Sequence, residues 1–153
     1  MKKVFLDTNI IMEYLAHRKE FDDVQLILSA AYQGGIQAVM SSGCVYTVIY
    51  LLGAEFKRQG IHEPEKREKI KESLSVLLEY IDVVDFSTDY VKKAITATDF
   101  KDLEDSCQYQ CAVENSCDIL LTINMKHFKD LESPLCQVAS PHEFVEKFIS
   151  ADE

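Results

Sequence analysis

Short apolar runs alternate with longer segments of helical periodicity along the whole chain. The first run, residues 2–6, is typical of a buried strand, and it delivers Asp7 at its carboxyl end. Further strands are predicted at residues 36–40, 81–84 and 118–122 and in a short segment ending at Val138. The intervals predict helices at residues 10–15, 22–33, 44–54 and 64–79 and from near Ser87, Asp102 and Ser140. This alternation predicts a single-domain α/β fold, with a mostly parallel sheet of about five strands and helices on both faces.

The helix predicted at residues 44–54 is apolar nearly all round. A surface helix normally keeps one polar face, so this helix is expected either at the centre of the fold or in a subunit interface. A homodimer is therefore one expectation, and burial within the monomer is the alternative.

Length and composition fit one domain. The 153 residues are 47% hydrophobic and 10% aromatic, which provides for a real core and excludes a mainly disordered chain. We expect a domain at residues 1–150 and a short tail at residues 151–153.

The formal net charge of −10 argues against bulk binding to nucleic acid or to an anionic membrane. Residues 57–71 run against this trend, with six Lys and Arg against three Glu. This segment has two interpretations. It is either a solvated helix whose charges pair at helical spacing, which we favour, or an arm that follows the phosphates of a nucleic acid.

Several features favour a cytoplasmic protein. No secretory signal opens the chain, and glycines cut the uncharged residues 24–54 into pieces too short to cross a membrane. Five cysteines, an odd number, indicate reduced thiols. Cys107 and Cys111 lie one helical turn apart, and we favour two small buried hydrophobic residues over a metal-binding pair.

Two groups of acidic residues are candidates for chemistry. Asp7 follows a strand, where it is either a helix cap or a functional acid. Asp102 and Asp105 are three apart at a helix start, where acids also complement the helix dipole, and Asp99 and Glu104 add charge. Because parallel strands end at one edge of the sheet, these acids suggest a site for Mg²⁺ or Mn²⁺, which prefer hard oxygen ligands.

Three segments together resemble a known family. They are VFLDTNII at residues 4–11, DLEDSCQYQCA at residues 102–112 and DILLTINMKHF at residues 118–128. In this order and spacing they resemble the PIN-domain ribonucleases, and among these the stand-alone bacterial type that includes VapC-like toxins.

The resemblance implies a five-stranded parallel sheet and cleavage of RNA that depends on Mg²⁺ or Mn²⁺ and leaves 5′-phosphate and 3′-hydroxyl ends. By position, Asp7 and Asp105 match the family's metal-site acids, and Asp102 is an acidic neighbour. Asn9 matches an asparagine that braces the site through hydrogen bonds. If the protein is a toxin, the resemblance also implies an antitoxin protein that fills the site.

The sequence departs from the family pattern at two positions. Thr47 stands where the family usually has a glutamate, and Asn124 where it tends to have an aspartate. His127 stands where a further aspartate is common. Asn124 can still form hydrogen bonds in the site, and Glu13 or Glu104 is a candidate to replace the missing charge.

Two alternatives to an active nuclease follow from these departures. The first is a PIN-like module that binds RNA or protein without catalysis, because its metal site is degenerate. The second is a phospho-acceptor domain of the receiver type, which we disfavour because Lys126 is poorly placed for it.

Overall fold

The computed structural model describes residues 1–131 and 134–149. Its centre is a sheet of five parallel strands in the spatial order β3-β2-β1-β4-β5. The strands are β1 (Lys2–Leu6), β2 (Ile36–Ser41), β3 (Ile81–Val84), β4 (Ile119–Leu121) and β5 (Gln137–Ala139). The predicted fold class is confirmed, and each predicted strand is present with boundaries within a residue or two.

In the described part of the chain, seven α-helices occupy the intervals between and after the strands. They are α1 (Thr8–Leu15), α2 (Phe21–Tyr32), α3 (Val45–Arg58), α4 (Glu65–Leu77), α5 (Thr88–Thr96), α6 (Leu103–Glu114) and α7 (Pro141–Phe144). Short 3₁₀ turns at Ser42–Cys44 and Met125–Phe128 follow β2 and β4, and a π-helical segment, Val145–Ile149, follows α7. The predicted tail at residues 151–153 lies outside the described residues.

Each face of the sheet carries its own hydrophobic core. Val4 and Leu6 of β1 belong to the larger core, which is built with α1, α2, α3 and the C-terminal segment. Phe5, between them, points the other way and packs with Tyr109 and Cys111 of α6. Because alternate residues of a strand face opposite sides, both faces of β1 are buried, which accounts for its uninterrupted apolar sequence.

The strand order reverses direction at the centre of the sheet. From β1 the chain moves outward through β2 to β3 and then returns to the other side of β1 to form β4 and β5. The carboxyl ends of β1 and β4 therefore border the crevice where open parallel sheets usually bind ligands. Asp7 follows β1, and Thr122 follows β4.

Helix α3 differs from its prediction in length and exposure. It continues to Arg58, and its buried residues, Val48, Leu52 and Gly53, lie on one side only. Tyr46 and Tyr50, one turn apart on the other side, are 84% and 75% exposed. The monomer therefore buries one face of this apolar helix and leaves an aromatic face open.

The helix predicted from Ser140 begins with the expected capping box. Ser140 Oγ accepts a hydrogen bond from Glu143 N at 3.2 Å, and Glu143 Oε2 accepts one from Ser140 N at 3.5 Å. Among the described residues, no helix combines the length and apolar composition that a membrane span requires.

Candidate active site

Asp7 lies at the switch point of the sheet and is almost completely buried. Its backbone N donates to Leu121 O at 3.1 Å, which extends the pairing of β1 with β4 by one residue. The side chain is 4% exposed. Although Asp7 occupies the N-cap position of α1, its side chain makes no capping hydrogen bond. The carboxylate is therefore free for a role other than starting the helix.

Both carboxylate oxygens of Asp7 are held by side chains from other elements. Thr122 Oγ1 donates to Oδ2 at 3.0 Å, and Gln108 Nε2 donates to Oδ1 at 3.2 Å. Burial raises the pKa of Asp7, hydrogen bonds from Thr122, from the backbone of Thr8 and from Gln108 lower it, and the charge of Asp105 raises it. The net effect is a raised pKa, so the site lacks positive charge to balance this carboxylate.

Gln108 connects Asp7 to a small buried polar network. Its Nε2 donates to Thr8 Oγ1 at 2.9 Å, and its Oε1 accepts from the Cys44 thiol at 3.2 Å. Thr8 Oγ1 in turn donates to Cys44 Sγ at 3.1 Å. Each side chain both gives and receives a hydrogen bond, which fixes the glutamine that orients Asp7.

Asp102 and Asp105 lie at the start of α6, as the sequence predicts. Asp102 is the N-cap, and its Oδ1 accepts from Asp105 N at 3.0 Å. Asp105, one helical turn before Gln108, is 8% exposed. Burial, followed by the charge of Asp102, raises the pKa of Asp105. Asp102 thus starts the helix that presents Asp105 and Gln108 together beside Asp7.

His127 contacts Asp105 directly. Its Nδ1 lies 2.9 Å from Asp105 Oδ2, and its charge and hydrogen bond lower the pKa of that carboxyl. From the sequence we noted only that this histidine stands where the family often has a further aspartate. The structure brings it to the acidic pair, from the 3₁₀ turn that follows β4.

The other residues predicted for the site have lesser contacts. Asn124 is half-buried, and its backbone N donates to Thr122 Oγ1 at 3.1 Å. Asn9 is half-buried as well, and its side chain makes no hydrogen bond within residues 1–131 and 134–149. Its bracing role stays a prediction, because Gln108 and Thr122 are the residues that brace Asp7. Sequence reasoning missed both Gln108 and Thr122. The available signal was their spacing, because Gln108 lies one helical turn after Asp105 and Thr122 lies two residues before Asn124.

Glu104 and Glu13, the two candidates to replace the missing charge, lie in different parts of the structure. Glu104 lies close enough to the site for the charges of Asp7 and Asp102 to raise its pKa, after the larger effect of burial. Glu13 is buried, and the charges that act on its pKa after burial are those of Arg18, Glu20 and Lys19. Glu13 therefore belongs to the end of α1 and not to the acidic group.

Two cavities flank the acidic group. One, of 370 Å³, lies between α3 and α6 and is lined by Thr47, Phe86, Glu104 and Gln108, among others. The other, of 860 Å³, reaches Asp105 and His127 and has three exposed lysines on its wall, Lys101, Lys126 and Lys129. None of these lysines forms an ion pair with a carboxylate of the described residues.

The acids present fit a sparse site for a divalent cation. Asp7, Asp105 and Glu104 each have a pKa raised in part by a neighbouring carboxylate, so a cation would relieve repulsion. Within the described part of the chain, no three His, Cys, Asp or Glu residues form a ready metal-binding group. Two carboxylates completed by water and a substrate phosphate are the usual ligands of Mg²⁺, and Asp7 with Asp105 meets that requirement.

A parallel sheet with buried acids at its switch point is the architecture that the resemblance to the PIN class implies, and sequence comparison agrees. Residues 3–126 match the family model described as a PIN domain. The chain therefore belongs to the PIN-domain family, which confirms the resemblance of the three segments. The match also removes the grounds for a receiver-type domain.

Two known proteins are similar to this chain over nearly its whole length. Ribonuclease VapC1 of Aquifex aeolicus (strain VF5) is 27% identical over 156 residues, which cover 96% of each protein. The crystal structure of VapBC2 from Rickettsia felis bound to a DNA fragment from their promoter contains a chain that superposes with a TM-score of 0.60. That match covers 90% of this chain and 98% of the other, at 18% identity, and it supports the fold.

Proposed function

We propose that this chain is a metal-dependent endoribonuclease of the PIN type, which hydrolyses RNA phosphodiesters. The observation that carries the proposal is the Asp7 carboxylate, which is buried, held at both oxygens and adjacent to Asp105. Burying an ionisable group without a balancing charge costs stability, and groups placed in this way are concentrated at functional sites. Membership of the PIN family and the similarity to ribonuclease VapC1 support the same conclusion.

The residues of the chain have separate parts in this reaction. Asp7 and Asp105 would hold Mg²⁺ or Mn²⁺, with Asp102 beside them, and the bound cation supplies a water of lowered pKa and offsets charge on the phosphoryl group. Gln108 and Thr122 keep Asp7 in one orientation, and His127 does so for Asp105. The backbone N of Asn124 donates to Thr122 Oγ1 and so orients the hydroxyl that donates to Asp7.

The lysines of the larger cavity are the better candidates for attracting the RNA backbone. Lys101, Lys126 and Lys129 line the cavity that reaches Asp105, and no carboxylate of the described residues pairs with them. On the segment 57–71, by contrast, Arg58 pairs with Glu55, and Arg67 and Lys71 pair with Glu68. Three of the six basic residues of the segment are thus paired, which favours a solvated surface over a phosphate-binding arm. The interpretation of the segment as a single helix is wrong, because α3 ends at Arg58 and α4 begins at Glu65.

The test is a comparison of Asp7→Asn and Asp105→Asn with the wild type in Mn²⁺ binding and RNA cleavage. We expect each variant to lose calorimetric Mn²⁺ binding and to cut RNA at least 100-fold more slowly, because even residues that only support a metal ligand cost about 10- to 100-fold. Asp82→Asn is the matched control, since Asp82 is exposed on β3 away from the carboxyl end of the sheet. Equal cleavage by Asp7→Asn and the wild type would contradict the proposal.

A non-catalytic PIN module is the second candidate, and the absence of a three-residue metal-binding group in the described residues favours it. Thr47 and Asn124 supply no charge where the family usually has acids. This candidate predicts that the wild type neither binds Mn²⁺ at millimolar concentration nor cleaves RNA in its presence. Metal binding that Asp105→Asn abolishes would count against it.

A protein partner that blocks the site belongs to the same proposal. The resemblance to VapC-type toxins implies an antitoxin, and the similar Rickettsia felis structure is of VapBC2. The product of a small reading frame adjacent to the gene is the candidate. We expect it to purify with this chain and to suppress RNA cleavage, and free cleavage in its presence would exclude it as the partner.

A further inference from the structure

The 370 Å³ cavity between α3 and α6 directly adjoins the acidic group. Gln108 lines this cavity and also donates to Asp7, so only one side chain separates the two. Glu104, the residue before Asp105, forms part of the same wall. The volume lies within the roughly 300 to 1,000 Å³ that is typical of ligand pockets.

A fixed aromatic ring forms one wall of the cavity. Phe86 N donates to Ser42 Oγ at 3.1 Å, which anchors the residue to the turn after β2. The ring rests on Gly43, where an added Cβ would lie only 3.2 Å from Phe86 Cδ1. The ring is half-buried, so it keeps a surface that faces the cavity.

The exposed lining of the cavity is mainly apolar, and Thr47 and Glu104 add polar groups to it. Thr47 and Glu104 are exposed, and neither side chain forms a hydrogen bond within residues 1–131 and 134–149. An aromatic ring beside unpaired hydrogen-bonding groups is the combination with which proteins bind unpaired nucleobases, by stacking and by contacts to the base edge.

We propose that this cavity is a nucleobase subsite, which takes one unpaired base next to the scissile phosphate, stacked on Phe86 with its edge toward Thr47 and Glu104. The inference rests on the proposed ribonuclease function and specifies its substrate as single-stranded. An apolar side chain from a protein partner would displace water from Thr47 and Glu104 without replacing its hydrogen bonds, whereas the edge of a base can replace them, so a base is the better occupant.

Glu104 gives the subsite a preference among bases. A carboxylate accepts hydrogen bonds from exocyclic amino groups, as acidic residues do from cytosine. Adenine, guanine and cytosine carry such a group, and uracil does not. Bases with an amino group are therefore expected to bind more tightly than uracil.

The experiment uses 2-aminopurine riboside 5′-monophosphate, a fluorescent nucleotide without a phosphodiester bond to cleave. In the presence of Mg²⁺, stacking on Phe86 is expected to quench its fluorescence saturably. AMP and CMP should displace it, UMP about tenfold less well and ribose 5-phosphate not at all. Displacement by ribose 5-phosphate as readily as by AMP would show recognition of phosphate alone and overturn the subsite.

Two perturbations of the cavity test its location. Phe86→Leu should weaken binding of the probe by about tenfold or more, and Phe21→Leu, at a half-buried position on α2, should not. Alkylation of Cys107 with N-ethylmaleimide gives a test that leaves Phe86 intact. Cys107 lines the cavity and is half-buried, whereas the other four cysteines are buried.

The alkylated protein should bind the probe at least tenfold more weakly and keep its Mn²⁺ affinity. Cys107→Ser treated with the same reagent is the control. Undiminished quenching after alkylation would show that the probe binds elsewhere and would overturn the assignment of a base to this cavity. If the protein cleaves RNA but does not quench the probe, the nucleobase subsite is wrong and the proposed ribonuclease function stands. If the protein quenches the probe but does not cleave RNA, the subsite is supported and the ribonuclease function is contradicted.

Discussion

Asp7 combines burial and charge in a way that opposes folding. Burial is the largest effect on its pKa and raises it above the usual value of 3.8, and Asp105 adds to the rise. A carboxyl with a raised pKa in the folded state binds its proton more tightly there than in the unfolded chain. Its ionisation therefore costs stability, and asparagine would remove that cost, although it keeps an acceptor for only one of the two side-chain hydrogen bonds to Asp7.

We predict that Asp7→Asn stabilises the metal-free protein at neutral pH while abolishing activity. Below pH 3.8 both side chains are neutral, and the free energies of unfolding should differ little. As the pH rises through the raised pKa of Asp7, the wild type should lose stability relative to the variant. Urea unfolding between pH 3.5 and 8 measures the difference. Curves that stay parallel over this range would contradict the prediction, and added Mn²⁺ should stabilise only the wild type.

Gln108 is the residue that links Asp7 to the rest of the site. We predict that Gln108→Leu destabilises the protein by about 1–3 kcal/mol, because Asp7, Thr8 and Cys44 each lose a buried hydrogen-bond partner. Gln110→Leu is the control on the same helix. Within the described residues the side chain of Gln110 bonds only Glu114, a pair worth about 0.5 kcal/mol at most. Equal denaturation midpoints for the two variants would show that the network contributes nothing.

At the scale of the element, α6 organises most of the site. Its cap is Asp102, and its first and second turns carry Asp105 and Gln108 on one face. The same helix buries Tyr109 and Cys111 against the sheet. Helix α6 thus fixes the positions of Asp105 and Gln108 relative to β1, although loops border the site.

Helix α3 provides a test of self-association. We propose that its outer face, Tyr46 and Tyr50, packs against a second copy of the chain. Sedimentation should then show a dimer for the wild type and a monomer for the double variant Tyr46→Ser, Tyr50→Ser, because exposed aromatic pairs are typical of interfaces. Tyr32→Ser, at an exposed tyrosine elsewhere, should leave the dimer intact. A monomeric wild type would contradict the proposal.

At the scale of the whole molecule, the net charge of −10 repels RNA, so binding must depend on local positive charge. We predict that Lys126→Glu with Lys129→Glu weakens RNA binding and reduces the salt dependence of log affinity by about 0.7 for each lost phosphate contact. The control pair, Lys66→Glu with Lys69→Glu, changes the net charge by the same amount but lies on the segment 57–71. Filter binding at several salt concentrations distinguishes the pairs, and a larger effect of the second pair would restore that segment as the RNA-binding arm.

The sequence allowed prediction of the fold and of the acids, because both depend on local patterns. Apolar runs that end at Asp7 and at Thr122 mark strand ends, and an acidic cap marks the start of α6. The contacts of Gln108 and His127 in the site were not predicted. Glutamine is an ordinary helix residue, and the partner of each side chain is distant in the chain. The side chain of Gln108 bonds that of Asp7, 101 residues earlier, and only the assembled sheet brings them together.

The position of β1 at the centre of the sheet affects how the protein is made. β1 is translated first, yet its neighbour β4 follows more than a hundred residues later. A nascent chain on the ribosome therefore has Asp7 at an unpaired strand edge until Leu121 and Thr122 emerge. Products of interrupted synthesis that end before α6 lack Asp105, Gln108 and Thr122, so under the proposed function they would be catalytically inert. A chain built in this order could not cleave RNA through this site before Thr122 had been translated.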